Sequence, residues 1–127
     1  MNVPEQELNA GVRDILAEVL SIDPGEVKPS ARFFADLGGE SIDLLDASFR
    51  FEKRFGIKVQ FDKIFAPGEV VPDEEGRLSP QFAASLSKRF PSMDLQQVRI
   101  GKGFDGVQQL LTVAVITDFI RERLAAA

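Results

Sequence analysis

Two successive glycines, Gly38 and Gly39, lead into a helical pattern that is apolar on two opposite faces. The pattern opens at Ser41 and runs to Phe55, with Gly56 as its stop. At about 100° per residue, Ile42, Leu45 and Phe49 fall on one face. Leu44, Ala47, Ser48, Phe51 and Phe55 fall on nearly the opposite face. Such a helix either lies between two layers or leaves one stripe at the surface. Asp43, Asp46, Arg50 and Lys53 flank the first stripe, so that stripe is placed outside. A fully sandwiched helix is the competing arrangement.

The remaining elements fit around this one. Leu8, Val12, Ile15, Leu16, Val19 and Leu20 follow a helical period and predict a first helix from Pro4 to Leu20. Ser21-Ile22-Asp23-Pro24-Gly25 ends it, and a loop follows with Phe33, Phe34 and Leu37 as apolar anchors. Thr112 suits the N-cap of a last helix reaching about Leu124, with Val113, Ile116, Ile120 and Leu124 as its stripe. Ile57 to Phe61 alternates like a strand, but no partner strand is evident, so it is read as an extended connection. A helical turn is expected from Asp62 to Phe65 and a helix from Gln81 to Phe90, opened by Ser79-Pro80 and stopped by Pro91. Met93 to Val98 suits a short turn. Ala66 to Gly76 and Gly101 to Gly106 read as loops. The second of these lacks the spacing of a phosphate-binding loop. The expected fold is all-α: one domain over residues 1–127, a helical bundle with an enlarged, partly helical insertion at 66–106.

Composition removes several function classes. The chain has no Cys and no His, so it has no Cys- or His-based nucleophile system and no Cys/His zinc site. With 20 acidic and 15 basic residues the net charge is −5, which argues against nucleic acid as a partner. No apolar run approaches the roughly 18 residues of a membrane span. The opening Met1-Asn2-Val3-Pro4-Glu5 is not expected to be a signal peptide, and the cytoplasm is the expected compartment. No metal site and no catalytic residue are expected, and the chain is expected to be a monomer.

Ser41 sits where a helix begins, and that is a favourable place for a phosphate. Unsatisfied N–H groups and the helix dipole both favour an anion there. The simpler alternative is an ordinary helix-capping serine. Asp36-Leu37-Gly38-Gly39-Glu40-Ser41, with the helix behind it, resembles the carrier-site motif of acyl carrier proteins. Phe33-Phe34-Ala35-Asp36-Leu37-Gly38 is similar to that family's long loop, and Thr112 to Ile120 to the opening of its final helix. The likeness covers about residues 4–65 and 108–124. It implies 4′-phosphopantetheine on the Ser41 hydroxyl, with acyl groups carried as thioesters. It implies that the chain is a substrate of enzymes rather than an enzyme. Its partners would be a phosphopantetheinyl transferase and acyl-loading and acyl-transfer enzymes. Asp36, Glu40, Asp43 and Asp46 would meet their basic residues, and Ile42, Leu45 and Phe49 would add apolar contact. Leu44, Ala47, Ser48, Phe51 and Phe55 would line the acyl pocket.

The motif departs from the common Asp-Ser-Leu, having Glu40-Ser41-Ile42, and the chain is longer than an ordinary carrier. Phe55 to Phe65 and the insertion with Pro72-Asp73-Glu74-Glu75 look most like the specialised carriers of lipid A assembly, which hold very long acyl chains. Polyketide or peptide synthesis is the alternative pathway. Two readings of other kinds compete: an unmodified carrier-fold interaction module, and a small acid-catalysed enzyme using Glu40 and Asp43.

Overall fold

The computed structural model describes residues 3–59, 88, 91 and 111–126. Among these residues the chain is all-α, with helices α1 (Glu5–Leu20), α2 (Ser41–Phe55) and α3 (Val113–Ala126) and a 3₁₀ turn at Pro24–Glu26. No strand forms among them; Arg32 and Thr112 make one isolated antiparallel bridge. The expected elements at Asp62–Phe65, Gln81–Phe90 and Met93–Val98, and the insertion at 66–106, lie outside the described residues save for Lys88 and Pro91.

Helices of 14 to 16 residues are marginal alone, so burial of one face must hold them. α1 packs on both α2 and α3. Of the six residues whose spacing predicts the helix it buries Leu8, Val12, Ile15 and Leu16, together with Gly11 and Ala17, while Val19 and Leu20 are half-buried. Phe51 and Phe55 enter the core from α2, stacked with ring centroids 6.5 Å apart. Ile116, Ile120 and Leu124 enter from α3, with Val113, Val115 and Phe119 beside them. Each fully buried side chain of this size contributes about 1.5–3 kcal/mol. Gly11 sets how closely α1 and α2 approach: a Cβ there would lie 2.8 Å from Phe55 Cζ and 2.9 Å from Arg54 Nε.

The helix ends follow local chemistry. α1 stops where Ser21 adopts φ 55°, and its N–H turns back to the carbonyl of Glu18. α2 stops at Gly56, φ 69°, where a left-handed residue without a Cβ costs least. Thr112 Oγ1 caps α3 by accepting from the Val115 N–H at 3.2 Å. Beyond α2, Ile57 and Val59 are buried and Lys58 is exposed. The alternation is real, yet no ladder forms over 57–59. The Val59 N–H instead donates to Glu52 Oε2 at 3.0 Å, and Arg123 Nε donates to the Lys58 carbonyl at 3.0 Å.

Candidate functional site at the start of the second helix

The loop before α2 is anchored at both ends. Phe33 is fully buried, and Phe34 meets it edge-on with centroids 5.0 Å apart. The N–H groups of Asp36 and Leu37 both donate to the Arg32 carbonyl at 3.0 Å. Asp36 Oδ2 accepts from the Arg32 N–H at 2.7 Å, closing the turn from the other side. That backbone hydrogen bond, with the Arg32 guanidinium adding to it, holds the Asp36 carboxyl below its ordinary range.

The turn is also tied to α3. Phe33 N–H donates to the Leu111 carbonyl, Val113 N–H to that of Ala31, and Ala114 N–H to that of Pro29, each at 2.9 Å. Both glycines are required. Gly38 has φ 71°, and a Cβ on Gly39 would collide with the Phe33 ring. The Gly39 N–H donates to the Phe33 carbonyl at 3.0 Å, and the chain then enters α2.

Glu40, not Ser41, holds the capping position, with extended φ −119°. Asp43 Oδ2 accepts from the Glu40 N–H at 2.9 Å. Ser41 is thus the first residue of the helix and is exposed. Its hydroxyl takes part in no hydrogen bond among the described residues. It stands beside first-turn N–H groups that have no carbonyl four residues back to bond. A helix-capping role for Ser41 is therefore not what the structure shows. An exposed hydroxyl at a helix start fits a phosphodiester attachment, since the orphan N–H groups favour its charge.

The two stripes of α2 separate as the period predicts. Ile42, Leu45 and Phe49 are 69%, 55% and 60% exposed, so the sandwiched arrangement is excluded. Leu44, Ala47, Ser48, Phe51 and Phe55 are all buried. Ser48 is tolerated there because its hydroxyl donates to the Leu45 carbonyl at 2.6 Å.

Asp36, Glu40 and Asp46 are exposed and Asp43 is half-buried, all around the same helix start. Asp36 closes the turn, Asp43 caps the helix, and Asp46 accepts from Arg50 Nε at 3.1 Å. One participant is absent from the sequence-derived set. Arg50 also reaches across to Glu18 of α1 at 2.9 Å. Its hydrogen bond to Asp46, and then that to Glu18, raise its pKa. The spacing of Asp46 and Arg50 is a visible signal for the first pair. Nothing in the sequence pairs Arg50 with Glu18.

Over residues 10–71 the chain matches the family described as the phosphopantetheine attachment site. It is 36% identical over 76 residues to an acyl carrier protein of Thermotoga maritima, spanning 58% of this chain and 94% of that one. The chain belongs to the acyl carrier protein family. A meromycolate extension acyl carrier protein of Mycolicibacterium aurum is 31% identical over 98 residues, 71% of this chain and 98% of that protein. Acyl carrier proteins are carriers rather than catalysts, which removes the reading of Glu40 and Asp43 as an acid-catalysed site. The family also carries its cargo on phosphopantetheine. No helix among the described residues is long and apolar enough to cross a membrane, and no metal-binding group of side chains occurs among them.

Proposed function

We propose that Ser41 is the residue that receives 4′-phosphopantetheine. The observation that carries this reading is its exposed hydroxyl on the first residue of α2, behind a turn anchored to the core and to α3. In the transfer, Ser41 Oγ bonds to the β-phosphorus of coenzyme A and adenosine 3′,5′-bisphosphate leaves. The hydroxyl proton passes to a base of the transferase, so the chain needs no histidine of its own. When bound, the group supplies a thiol that carries an acyl chain as a thioester. Asp36, Glu40, Asp43 and Asp46 then face basic residues of the transferase and the acyl enzymes, and Ile42, Leu45 and Phe49 add apolar contact. The reaction takes place in the cytoplasm, with residues 1–127 acting as one carrier domain. Intact mass after incubation of the apo protein with coenzyme A and a broad-specificity transferase tests this. The wild type gains one prosthetic group and Ser41→Ala gains none; equal gain by both overturns it.

The finer reading is a long acyl cargo, with lipid A assembly as its use. Two small residues, Ala47 and Ser48, occupy the buried stripe of α2 between Leu44 and Phe51. Ordinary carriers have larger aliphatic side chains there, and that difference is the ground for reading room for a long chain beneath the helix; the competing arrangement is that Phe51, Phe55 and the insertion fill the space. The similarity to a protein named for meromycolate extension agrees with a specialised cargo. Each buried methylene contributes about 0.8 kcal/mol, so stability of the acylated form should keep rising with chain length. Thermal denaturation across a series of acyl lengths is the check. A plateau at short or medium chains removes the long-chain reading and leaves the carrier reading intact.

A further inference from the structure

The far end of α2 differs in charge from the end that bears Ser41. Glu40, Asp43 and Asp46 surround the serine, whereas Arg50, Lys53 and Arg54 follow in the last turns. With a rise of about 1.5 Å per residue, Lys53 lies about 18 Å along the helix from Ser41. These three cations, with Ile15 and Glu18, line a shallow, open groove between α1 and α2.

The groove is organised in advance. Arg50 is held by Asp46 and Glu18. Arg54 lies against the backbone of α1 because Gly11 has no side chain: a Cβ there would meet its Nε at 2.9 Å and its Cζ at 3.4 Å. Its guanidinium also sits 5.9 Å from the centre of the Phe55 ring. Lys53 and Arg54 are exposed and form no ion pair among the described residues. Two cations free of ion pairs among those residues, Arg54 held against α1 and Lys53 one turn on from the exposed Phe49, therefore stand on the same helix as Ser41.

Resting on the carrier reading above, we propose that this groove is a second docking point that takes acidic side chains of the acyl enzymes. A carrier whose docking helix is acidic throughout asks only for a basic partner surface. This one selects a partner with basic groups near its active-site mouth and carboxylates about 18 Å away. Reversal of charge along one helix also fixes the direction in which the helix lies on the partner. An anionic membrane is the less suitable occupant. The groove holds three cations, one of them already paired with Asp46 and Glu18, whereas recognition of an anionic lipid surface uses clusters of about 4–8.

The test uses the full chain and a hexaglutamate peptide as probe, followed by amide chemical shifts at low salt. Shifts should concentrate on Ile15, Glu18, Arg50, Lys53 and Arg54. The double variant Lys53→Gln/Arg54→Gln should bind the peptide at least about tenfold more weakly, and Lys28→Gln should bind it as the wild type does. Glutamine is chosen because it removes charge without placing a carboxylate at a helix C-terminus. Equal peptide binding by the double variant, or shifts spread evenly over all surface cations, overturns the proposal. So does stronger binding to phosphatidylglycerol vesicles than to the peptide. Transferase modification of the same samples separates the two readings. Uptake of the prosthetic group with no response to the peptide sinks the groove alone; no uptake by the wild type sinks the attachment reading first.

Discussion

Asp36 is worth following as a single residue, because the backbone around it is built for its negative charge. Its carboxyl titrates below the ordinary range in the folded chain, chiefly through the Arg32 N–H. A folded pKa below the unfolded one contributes stability above the unfolded value, and that contribution is lost as pH falls through the folded one. The window therefore opens near pH 4, about where an unfolded aspartate titrates, and extends downward. Asp36→Asn should narrow its stability gap to the wild type as pH drops from 5 through that window. Urea melts at a series of pH values provide the check, and a constant gap would contradict the role of the charge. Gly38 carries a different constraint. Its φ of 71° costs an L-residue about 1–2 kcal/mol, so Gly38→Ala should lose about that much in the same melts. The sequence shows the need for glycine at 38 and 39, since a tight turn just before a helix is a local matter. It does not show that Gly39 yields its space to Phe33, which is a contact across the loop.

At the scale of the element, the charges of α2 already serve the fold: Asp43 caps the helix, and Arg50 ties it to Asp46 and to Glu18 of α1. Period separates its two stripes, because burial and exposure repeat with the helical turn, and the flanking charges tell which one is outside. Asp43 shows the limit of that reading: it lies near the exposed stripe, yet it also caps the helix through the Glu40 N–H. Changing Asp43 and Asp46 to Lys would mix loss of docking with loss of a cap, about 1 kcal/mol. Asp43→Asn/Asp46→Asn keeps an acceptor at the cap while removing charge. That variant should bind the transferase more weakly at low salt, with the difference shrinking as salt approaches 0.1 M, where screening acts over about 10 Å. Unchanged binding at low salt would make these acids a solvated face only. Phe51 tests the inner stripe. It is fully buried, so Phe51→Ala should cost about 3–5 kcal/mol, seen as a large fall in the denaturation midpoint.

At the scale of the molecule, the close approach of α1 and α2 at Gly11 sets two effects against each other. Gly11→Ala gains about 1 kcal/mol in helix propensity. It also drives a Cβ into Phe55 and Arg54, and overpacking a core costs about 1–3 kcal/mol. The collision should win, with a net loss of stability, and Phe55→Leu in the same chain should recover part of it. The three described helices and their order were legible because each announces itself by its own period. Cross-helix ties such as Arg50 with Glu18, or Arg121 with Glu5, were not, since no local pattern encodes them. The bonds from the serine loop to the start of α3 belong to the same class, and they have a consequence for length. The Phe33 N–H holds the Leu111 carbonyl, the Val113 N–H that of Ala31 and the Ala114 N–H that of Pro29, while the Gly39 N–H turns back to the Phe33 carbonyl. A single residue inserted between Pro29 and Glu40 would throw several of these bonds out of register at once, so this stretch should tolerate almost no change in its length.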